Sequence, residues 1–347
     1  MKGVLSMKKR ILILWTGICI AFICIITPIK HIYADTLLGY NHEDYMLEKG
    51  NYHWDLRNWM SVVPNNTKLS ALSIPGTHDS MAHHGKTLID KPYTQTQSVV
   101  LPKQLESGIR YVDIRIRDTG NSFAIHHGDV YQQAMFGDVL NTVTDFLRKY
   151  PTETVIMRVK NEHEQDLNRY QEIFQGYWDS YKSYFWNPTS NNPTLGEIRG
   201  KIVVIQNFRS NKQFGIQYDS LNVQDQYDVS NLPAKWDAVK SQIDLANNDV
   251  NHIYLNHLSG THFNLLTGNT PADVAKYINP KTVAYVGGLG VFNGLDPSRW
   301  TETNVNNINH TGIITADFPD FEFSAQIINK NAPYNDKNFN GKKYITE

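Results

Sequence analysis

Cysteine is almost absent from this sequence of 347 residues, which contains only Cys19 and Cys24. Both lie in an N-terminal segment that we expect to be removed, so the remaining chain would have none. This excludes disulfides, a thiolate nucleophile and cysteine ligands for zinc. Stability must then come from the size of the core, for which a hydrophobic content of 41% provides enough material.

Long hydrophobic runs are confined to that N-terminal segment. Three basic residues at positions 8–10 precede a nearly continuous apolar run at 11–26, and residues 32–34 end on an alanine. This order is typical of a secretory signal peptide, and a membrane anchor is the alternative. Because about 16 apolar residues are few for a membrane span, we predict a cleaved signal peptide at 1–34, followed by one secreted domain at 35–347.

Positive charge is also scarce once this segment is removed. It carries five of the 33 basic residues and none of the 34 acidic ones, which leaves 28 basic residues against 34 acidic ones and a formal charge of −6. The remaining sequence has no basic tract, so we expect no nucleic-acid partner. Net charge alone would not draw it to an anionic membrane either.

The sequence has no internal repeat and no low-complexity linker, but short apolar runs alternate with amphipathic helical patterns. Alternation of this kind predicts parallel strands joined by crossover helices. Seven or eight strands favour an α/β fold of the (β/α) barrel type over an open doubly wound sheet. The third run follows the second too closely for a helix between them, so we predict an irregular, distorted TIM-type barrel that forms a single domain. The predicted strands are residues 69–75, 109–115, 123–127, 154–160, 201–207, 252–258 and 311–317.

Ionisable residues end several of these apolar runs. Active sites of (β/α) barrels gather at the C-terminal ends of the strands. Taken singly, each residue could be structural, as a helix cap or a buried ion pair, but five such endings are hard to explain as solvated loop charges. His83 and His84 lie beyond the first turn in a polar stretch and are predicted to be loop histidines without a role. The candidate site residues are His78, Asp79, Asp113, Arg115, His127, Lys160 and Asp317.

The residue types at these strand ends suit phosphodiester chemistry. Two histidines with carboxylate partners can serve as base and acid in one reaction, and an arginine can bind a phosphate and stabilise its charge. With no evident serine or cysteine nucleophile, the attacking group would be a hydroxyl of the substrate. The alternative is a divalent metal held by His78, His127 and two neighbouring aspartates. The charge of Arg115 disfavours a cation there, so we expect no metal and no cofactor.

The motifs also resemble those of a known family. The segments "LSIPGTHDSM", "GIRYVDIRIRD", "AIHHGDVY", "ETVIMRVKNE", "VQDQYDV" and "TGIITADFP" occur in this order. Together they resemble the phosphatidylinositol-specific phospholipases C secreted by Gram-positive bacteria, in particular the Listeria branch, over most of the length. The resemblance implies a distorted TIM barrel and a calcium-independent lyase that splits phosphatidylinositol into diacylglycerol and inositol 1,2-cyclic phosphate.

The resemblance also implies roles for the site residues. His78 matches the general base, which Asp317 orients, and His127 matches the general acid, which Asp79 supports. Arg115 matches the residue that contacts the phosphate, with the aspartate two positions earlier beside it in the catalytic cluster.

Further matches and two departures concern the substrate pocket. In the Bacillus type a basic inositol-binding residue follows the strand that here ends at Asn207, and Arg209 lies two positions further on. The "HHG" motif usually continues with proline, whereas here Asp129 follows and puts a carboxylate near the predicted acid. The residues that the resemblance places around the inositol ring are Lys160, Asp225 and Tyr227.

A lipase that acts on bilayers needs an apolar contact with them. Phe263, Leu265 and Leu266, in a loop flanked by glycines, are predicted to form an apolar tip that touches the membrane. Inward packing over the barrel is the alternative. A second candidate for this contact is the group Val99, Val100 and Leu101.

The expected partner is phosphatidylinositol in membranes, bound by a monomer in peripheral contact. The sequence leaves open whether glycosylphosphatidylinositol-anchored proteins are substrates too. Rival functions are a metal-dependent glycerophosphodiester phosphodiesterase and a non-catalytic inositol-lipid binding module, which should have lost one of the histidines or the arginine. A two-histidine ribonuclease would need a basic groove, which this acidic chain lacks.

Overall fold

Ten β-strands joined in one sheet form the framework of the described part of the protein, as seen in a computed structural model. The structure describes residues 56–88, 90–163, 166–264, 268–288 and 307–331. The predicted signal peptide at 1–34 lies outside the described residues. In chain order the strands are β1 (Ile74–Thr77), β2 (Tyr111–Asp118), β3 (Phe123–His127), β4 (Val130–Met135), β5 (Val155–Asn161), β6 (Ile202–Asn207), β7 (Ile216–Gln217), β8 (Asn222–Gln224), β9 (Tyr254–His257) and β10 (Ile313–Ala316).

Eight α-helices accompany the strands in this part of the chain. Capping residues fix where helices begin: at α7 the side chain of Thr270 accepts from the N–H of Asp273, and Pro271 occupies the first turn. None of the described helices is long and apolar enough to cross a membrane. The helices are α1 (Lys91–Thr94), α2 (Leu101–Glu106), α3 (Phe136–Lys149), α4 (Leu167–Ser180), α5 (Leu195–Ile198), α6 (Leu232–Asn248), α7 (Pro271–Gly287) and α8 (Phe321–Ile328).

The parallel strands follow one another around a barrel in chain order. β1 pairs with β2, β2 with β5, β5 with β6 and β6 with β7. On its other side β1 pairs with β10, β10 with β9 and β9 with β8. Among the described strands β7 and β8 end this path, so the ring is open between them. The order confirms the predicted distorted TIM-type barrel and excludes the doubly wound sheet, in which the strand order reverses.

The hairpin of β3 and β4 explains the short spacing in the sequence. It is antiparallel and pairs with the C-terminal half of β2, with Ile125 opposite Ile116. Antiparallel strands need only a short connection, so a hairpin fits where a crossover helix would not. Because β3 runs back along β2, its last residue, His127, returns towards Arg115.

The first predicted strand, residues 69–75, is wrong in its first half. β1 begins only at Ile74, and Leu69–Ala71 forms a 3-10 turn. The backbone N–H of Leu69 donates to the carbonyl oxygen of Pro193 (2.8 Å). A neighbouring loop thus satisfies this backbone in place of a sheet ladder.

A buried ion pair closes the N-terminal end of the barrel. Arg110, just before β2, and Glu153, just before β5, are fully buried with 2.8 Å between Nη2 and Oε2. The guanidinium also donates to the carbonyl oxygens of Leu105 and Ile109, both at 2.8 Å. Glu153 in turn accepts from the backbone N–H of Met60 (3.0 Å). Residues at this end of a barrel serve stability, since active sites lie at the other end.

Candidate active site

The turn after β1 presents the first two site residues. A β-carbon at Gly76 would lie 2.8 Å from the ring of Tyr111, so the strands approach too closely for any other residue. Asp79 adopts a left-handed backbone with φ of +40°, a strained conformation that is common at functional sites. Ser80 holds the turn to β2, because its N–H donates to the carbonyl oxygen of Asp113 (2.9 Å) and its Oγ accepts from the N–H of the same residue (2.8 Å).

His78 is held between a carboxylate and a guanidinium. Its Nδ1 lies 2.7 Å from Oδ1 of Asp317, and its Nε2 lies 2.6 Å from Nη2 of Arg115. A guanidinium only donates hydrogen bonds, so Nε2 must accept, and Nδ1 must carry the proton that it donates to Asp317. The imidazole is therefore neutral with an unprotonated Nε2. This is the tautomer that a general base needs.

Burial reinforces this protonation state. It lowers the pKa of His78 well below the ordinary value for histidine, and the charge of Arg115 lowers it further. Burial also raises the pKa of Asp317. Since Nε2 accepts from Arg115, the pair of His78 and Asp317 has a single proton, shared between Nδ1 and Oδ1. His78 thus stays unprotonated at Nε2 at neutral pH and below.

His127 is fixed through its other ring nitrogen. Nδ1 donates to the carbonyl oxygen of Thr94, the last residue of α1, at 2.8 Å. A carbonyl only accepts, so Nδ1 carries a proton and Nε2 is the nitrogen available for proton transfer. Oδ2 of Asp79 lies 3.2 Å from the same Nδ1 but makes no hydrogen bond among the described residues. Asp79 therefore acts on His127 through its charge, while Thr94 holds the ring.

Arg115 stands among three carboxylates. Its Nε lies 3.4 Å from Oδ2 of Asp79, its Nη2 3.4 Å from Oδ2 of Asp113, and its Nη1 3.1 Å from Oε1 of Glu162. Burial alone would lower the pKa of Arg115, but the three carboxylates raise it well above its usual range. The positive charge among these three carboxylates is therefore that of a guanidinium. Among the described residues no group of three His, Cys, Asp or Glu side chains is arranged to bind a metal ion.

The carboxylates around Arg115 differ in their protonation. Burial raises the pKa of Asp79 to about 6, although the charges of Arg115 and His127 act to lower it. Burial would also raise the pKa of Asp113, but the guanidiniums of Arg158 and Arg115 hold it well below its usual range. Asp79 is thus the carboxyl of this group whose charge changes in weakly acidic solution.

Sequence reasoning missed three members of the cluster: Arg158, Glu162 and His257. Arg158 lies two positions before Lys160 on β5, and residues two apart on a strand share one face, so this signal was present. Glu162 directly follows the end of β5 and pairs with Arg115. His257 ends β9, fully buried, with its ring 5.8 Å from that of His78. Burial lowers the pKa of His257 to about 4.

The predicted inositol residues lie at neighbouring strand ends. Lys160 and Asn207 are register partners on β5 and β6, and Nζ of Lys160 lies 3.1 Å from Oε2 of Glu162. Oδ1 of Asn207 accepts from Nε (3.0 Å) and Nη2 (2.7 Å) of Arg158. Arg158 thus brings a guanidinium to the strand end where the sequence shows an asparagine in place of a basic residue. The other three candidates, in exposed positions beyond β6 and β8, are Arg209, Asp225 and Tyr227.

Asp129 occupies the exposed turn of the hairpin. Its Oδ1 lies 3.6 Å from Nη1 of Arg117 and 3.4 Å from Nε2 of His163, so its carboxylate is directed at these two side chains. His83 and His84 lie in the loop between β1 and α1, where both backbone N–H groups donate to the side chain of one glutamine at 2.9 Å.

The first predicted membrane contact is described only in part. Phe263 is 70% exposed, and its ring centroid lies 5.1 Å from that of Tyr93. Leu265 and Leu266 lie outside the described residues. Phe263 thus offers an exposed aromatic ring beside a second aromatic residue from the segment that carries Thr94.

The second predicted membrane contact is wrong as a group. Val99 and Leu101 are buried, with 6% and 2% of their surface exposed, and only Val100 is exposed, at 55%. Leu101 belongs to the core cluster as the first residue of α2. The start of α2 therefore packs inward and leaves a single valine at the surface.

These contacts define a class of protein. One end of a (β/α) barrel holds a neutral histidine against a charged guanidinium, with a second histidine held by one nitrogen. Such a site can bind an anionic group and transfer protons beside it. Residues 72–208 match the family model described as phosphatidylinositol-specific phospholipase C, X domain.

Known relatives identify the family. The 1-phosphatidylinositol phosphodiesterase of Listeria monocytogenes is 35% identical over 79% of this chain and 85% of its own length. That of Staphylococcus aureus (strain Newman) is 31% identical over 65% of this chain and 81% of its own. The solved Listeria monocytogenes phosphatidylinositol-specific phospholipase C superimposes with a TM-score of 0.67 at 33% identity, over 80% of this chain and 99% of that one. The chain therefore belongs to the phosphatidylinositol-specific phospholipase C family of enzymes, which confirms the resemblance seen in its motifs.

Proposed function

We propose that the protein cleaves phosphatidylinositol into diacylglycerol and inositol 1,2-cyclic phosphate. The observation that carries this proposal is the 2.6 Å contact between the unprotonated Nε2 of His78 and the guanidinium of Arg115. A phosphate bound by that guanidinium would bring an adjacent hydroxyl of the same substrate to the base. The names of the bacterial relatives, 1-phosphatidylinositol phosphodiesterase, supply the substrate class.

In the proposed reaction, Nε2 of His78 takes the proton of the inositol 2-hydroxyl, and that oxygen attacks phosphorus. The bond from phosphorus to the diacylglycerol oxygen breaks, and Nε2 of His127 gives this oxygen its proton. Arg115 stabilises the charge on the phosphoryl oxygens, and Asp317 stabilises the imidazolium that forms. The substrate's own hydroxyl provides a proximity that free water lacks. In a slower second step the roles reverse: Nε2 of His127 takes a proton from a water molecule, whose oxygen attacks phosphorus. The bond from phosphorus to the inositol 2-oxygen breaks and His78 gives that oxygen its proton, which yields inositol 1-phosphate and restores both histidines.

The surrounding residues are proposed to hold substrate and guanidinium in place. Asp113 and Glu162 orient Arg115 from two sides, at 3.4 and 3.1 Å, while Asp79 balances the charge between Arg115 and His127. The residues proposed to contact the inositol ring are Lys160, Asn207, Arg209, Asp225 and Tyr227.

We further propose that the enzyme is secreted as a monomer and docks on membranes peripherally. The N-terminal pattern at 1–34 supports secretion, and the exposed ring of Phe263 supports a shallow apolar contact. No metal or cofactor enters the proposed reaction, since Arg115 supplies the positive charge.

The test of this function is ³¹P NMR of the protein with phosphatidylinositol vesicles in EDTA. A cyclic phosphodiester signal that appears before any phosphomonoester is expected. Cleavage that EDTA abolishes, without a cyclic product, would indicate the metal-dependent glycerophosphodiester phosphodiesterase. Vesicle binding without turnover would indicate the non-catalytic lipid-binding module.

Substitution of the proposed base sharpens this test. His78→Ala is expected to lower kcat by about 10³-fold, within the range of general base catalysis, because no other described group takes the proton from the 2-hydroxyl. The matched control is His84→Ala in the adjacent loop, which should retain full activity. Near-native turnover by His78→Ala would contradict the assignment of His78 as the general base.

A further inference from the structure

Two proposed inositol contacts stand on a loop that receives little support from the sheet. Residues 225–228, here called the headgroup loop, follow β8 and carry Asp225 and Tyr227. Among the described strands β8 pairs with β9 alone, because the ring is open on its other side. Tyr227 is 70% exposed. The far end of the loop is tied to the segment after β9, because the N–H of Thr261 donates to the carbonyl oxygen of Tyr227 (2.9 Å) and Asp228 forms a bridge with Thr261. The first half of the loop, next to β8, needs a separate support.

Lys235 lies beneath the headgroup loop as a fully buried cation in the first turns of α6. Its Nζ donates to the carbonyl oxygens of Gln226 (2.9 Å) and His257 (2.7 Å), and approaches Oε1 of Gln224 at 3.4 Å. An ammonium has three N–H donors, so all of them are engaged. Gln224 and His257 end β8 and β9, and Gln226 lies two residues after β8. All three acceptors are therefore on the active-site side of the barrel.

Gln224 adds further hydrogen bonds to those that Lys235 makes beneath the loop. Its Nε2 donates to Oδ1 of Asn256 (2.8 Å) and to the carbonyl oxygen of His257 (2.9 Å), and its Oε1 accepts from the N–H of Gln226 (2.7 Å). The carbonyl of His257 thus receives hydrogen bonds from both the glutamine and Lys235. The network joins the headgroup loop to the residue whose ring lies next to His78.

A buried ammonium at this position is costly unless its charge has a use. The described hydrogen bonds of Lys235 go to neutral oxygens, and an apolar side chain of similar length would avoid the cost of removing a charge from water. Burial lowers the pKa of Lys235 to about 8, and the carboxylates of Asp225 and Asp317 act to raise it. The lysine is therefore mostly charged at neutral pH, and the charges of these two carboxylates favour that state.

We propose that Lys235 is a positioning residue that fixes the headgroup loop to the end of β9 and thereby sets the affinity for the inositol ring. This inference rests on the proposed function, since it takes Asp225 and Tyr227 as inositol contacts. Lys235 acts through Gln226 and does not touch the substrate. Its loss releases the loop, which weakens headgroup binding more than it slows proton transfer at His78.

The experiment compares Lys235→Met with the native protein by two measurements. With phosphatidylinositol in detergent mixed micelles, KM should rise about tenfold while kcat changes less than about threefold, as expected when charged hydrogen bonds that only position a loop are lost. Hydrogen exchange at 225–228 should become about tenfold faster or more, with α6 unchanged beyond its first turns. The matched control is Lys240→Met, one turn later on α6, where Nζ pairs with Asp244 at 2.6 Å.

Lys235→Gln keeps two N–H donors without the charge and provides a milder variant if the methionine protein does not fold. It should show intermediate exchange and an intermediate KM. Native exchange and KM in either folded variant would overturn the proposal, and so would faster exchange spread evenly over α6 and β9, which would indicate general destabilisation.

Asp225→Asn distinguishes the support of the loop by Lys235 from the contact of the loop with the inositol ring. If it leaves KM unchanged while Lys235→Met accelerates exchange at 225–228, the loop anchor stands and the inositol assignment fails. Loop exchange is measured without substrate, so the anchor is tested even if the native protein does not cleave phosphatidylinositol.

Discussion

At the scale of single residues, the position of one proton decides what the site can do. Arg115 donates to Nε2 of His78, so the proton of the neutral ring must lie on Nδ1, facing Asp317. The contact that would bind phosphate is thus also the contact that prepares the base. Such coupling depends on which atoms donate and accept, and a sequence pattern alone does not show it.

Asp317→Asn tests this proton position. The amide N–H₂ would donate towards Nδ1 and force the ring proton to Nε2, opposite the donor of Arg115, so kcat should fall by about 10²- to 10⁴-fold, as for a triad carboxylate. In the native enzyme the acid limb of kcat/KM should lie below about pH 6.5. The reason is that burial lowers the pKa of His78 and raises that of Asp79 only to about 6.

The pH profile and the variant have separate controls. Asp249→Asn removes a carboxylate that pairs with His252 between α6 and β9 (2.6 Å), and it should leave the acid limb where it is. A native acid limb well above pH 6.5, or an Asp317→Asn enzyme with native kcat, would contradict the assigned tautomer.

At the scale of elements, the sequence correctly predicted that several ionisable residues from different strands lie together at one end of the barrel. His78 and Asp317 directly follow β1 and β10, because parallel barrel strands all point their C-terminal ends to one side. Asp113 lies within β2, which is longer than predicted because its last residues continue into the pairing with β3. The carbonyl of Thr94 could not be predicted, since it belongs to a short helix that reaches His127 through the tertiary fold. Val99 and Leu101 were predicted to lie at the surface because an apolar run alone does not show whether its side chains point to the core or to solvent. That depends on how α2 packs against the barrel.

The loop that carries Phe263 is the element for a membrane test. Phe263→Asp should lower activity on phosphatidylinositol vesicles about tenfold or more, because an exposed ring that enters the interface is replaced by a charge. Activity on a soluble inositol phosphodiester should stay native. The matched control is Val250→Asp, an exposed apolar residue just before β9 at the other end of the barrel. Equal losses on both substrates would show that the ring serves the site and not the membrane.

At the scale of the whole molecule, the buried ion pair of Arg110 and Glu153 and the candidate active site lie at opposite ends of the barrel. Glu153→Gln keeps the shape of the side chain but leaves the buried charge of Arg110 without its partner. We expect a loss of about 3 kcal/mol in the free energy of unfolding, measured by urea denaturation, with native kcat while the protein is folded. Asp145→Asn, which breaks an exposed pair with Arg148, should change little.

A different result would change the interpretation of this pair. If Glu153→Gln lost kcat in the folded state, the N-terminal end of the barrel would be coupled to the site. Sequence alone could not have identified the pair, because Arg110 and Glu153 are 43 residues apart and each precedes a strand, where charged residues are usually solvated.

The pairing of β10 with β1 determines when during synthesis the site can form. His78 and Asp317 are 239 positions apart, and β10 supplies the backbone acceptor for the N–H of His78 at Ala316 (3.0 Å). A ribosome must therefore synthesise every residue from 78 to 317 before the proposed base can be assembled. A chain interrupted before residue 313 would lack this pairing and the carboxylate that orients His78, so incomplete products would lack the proposed activity.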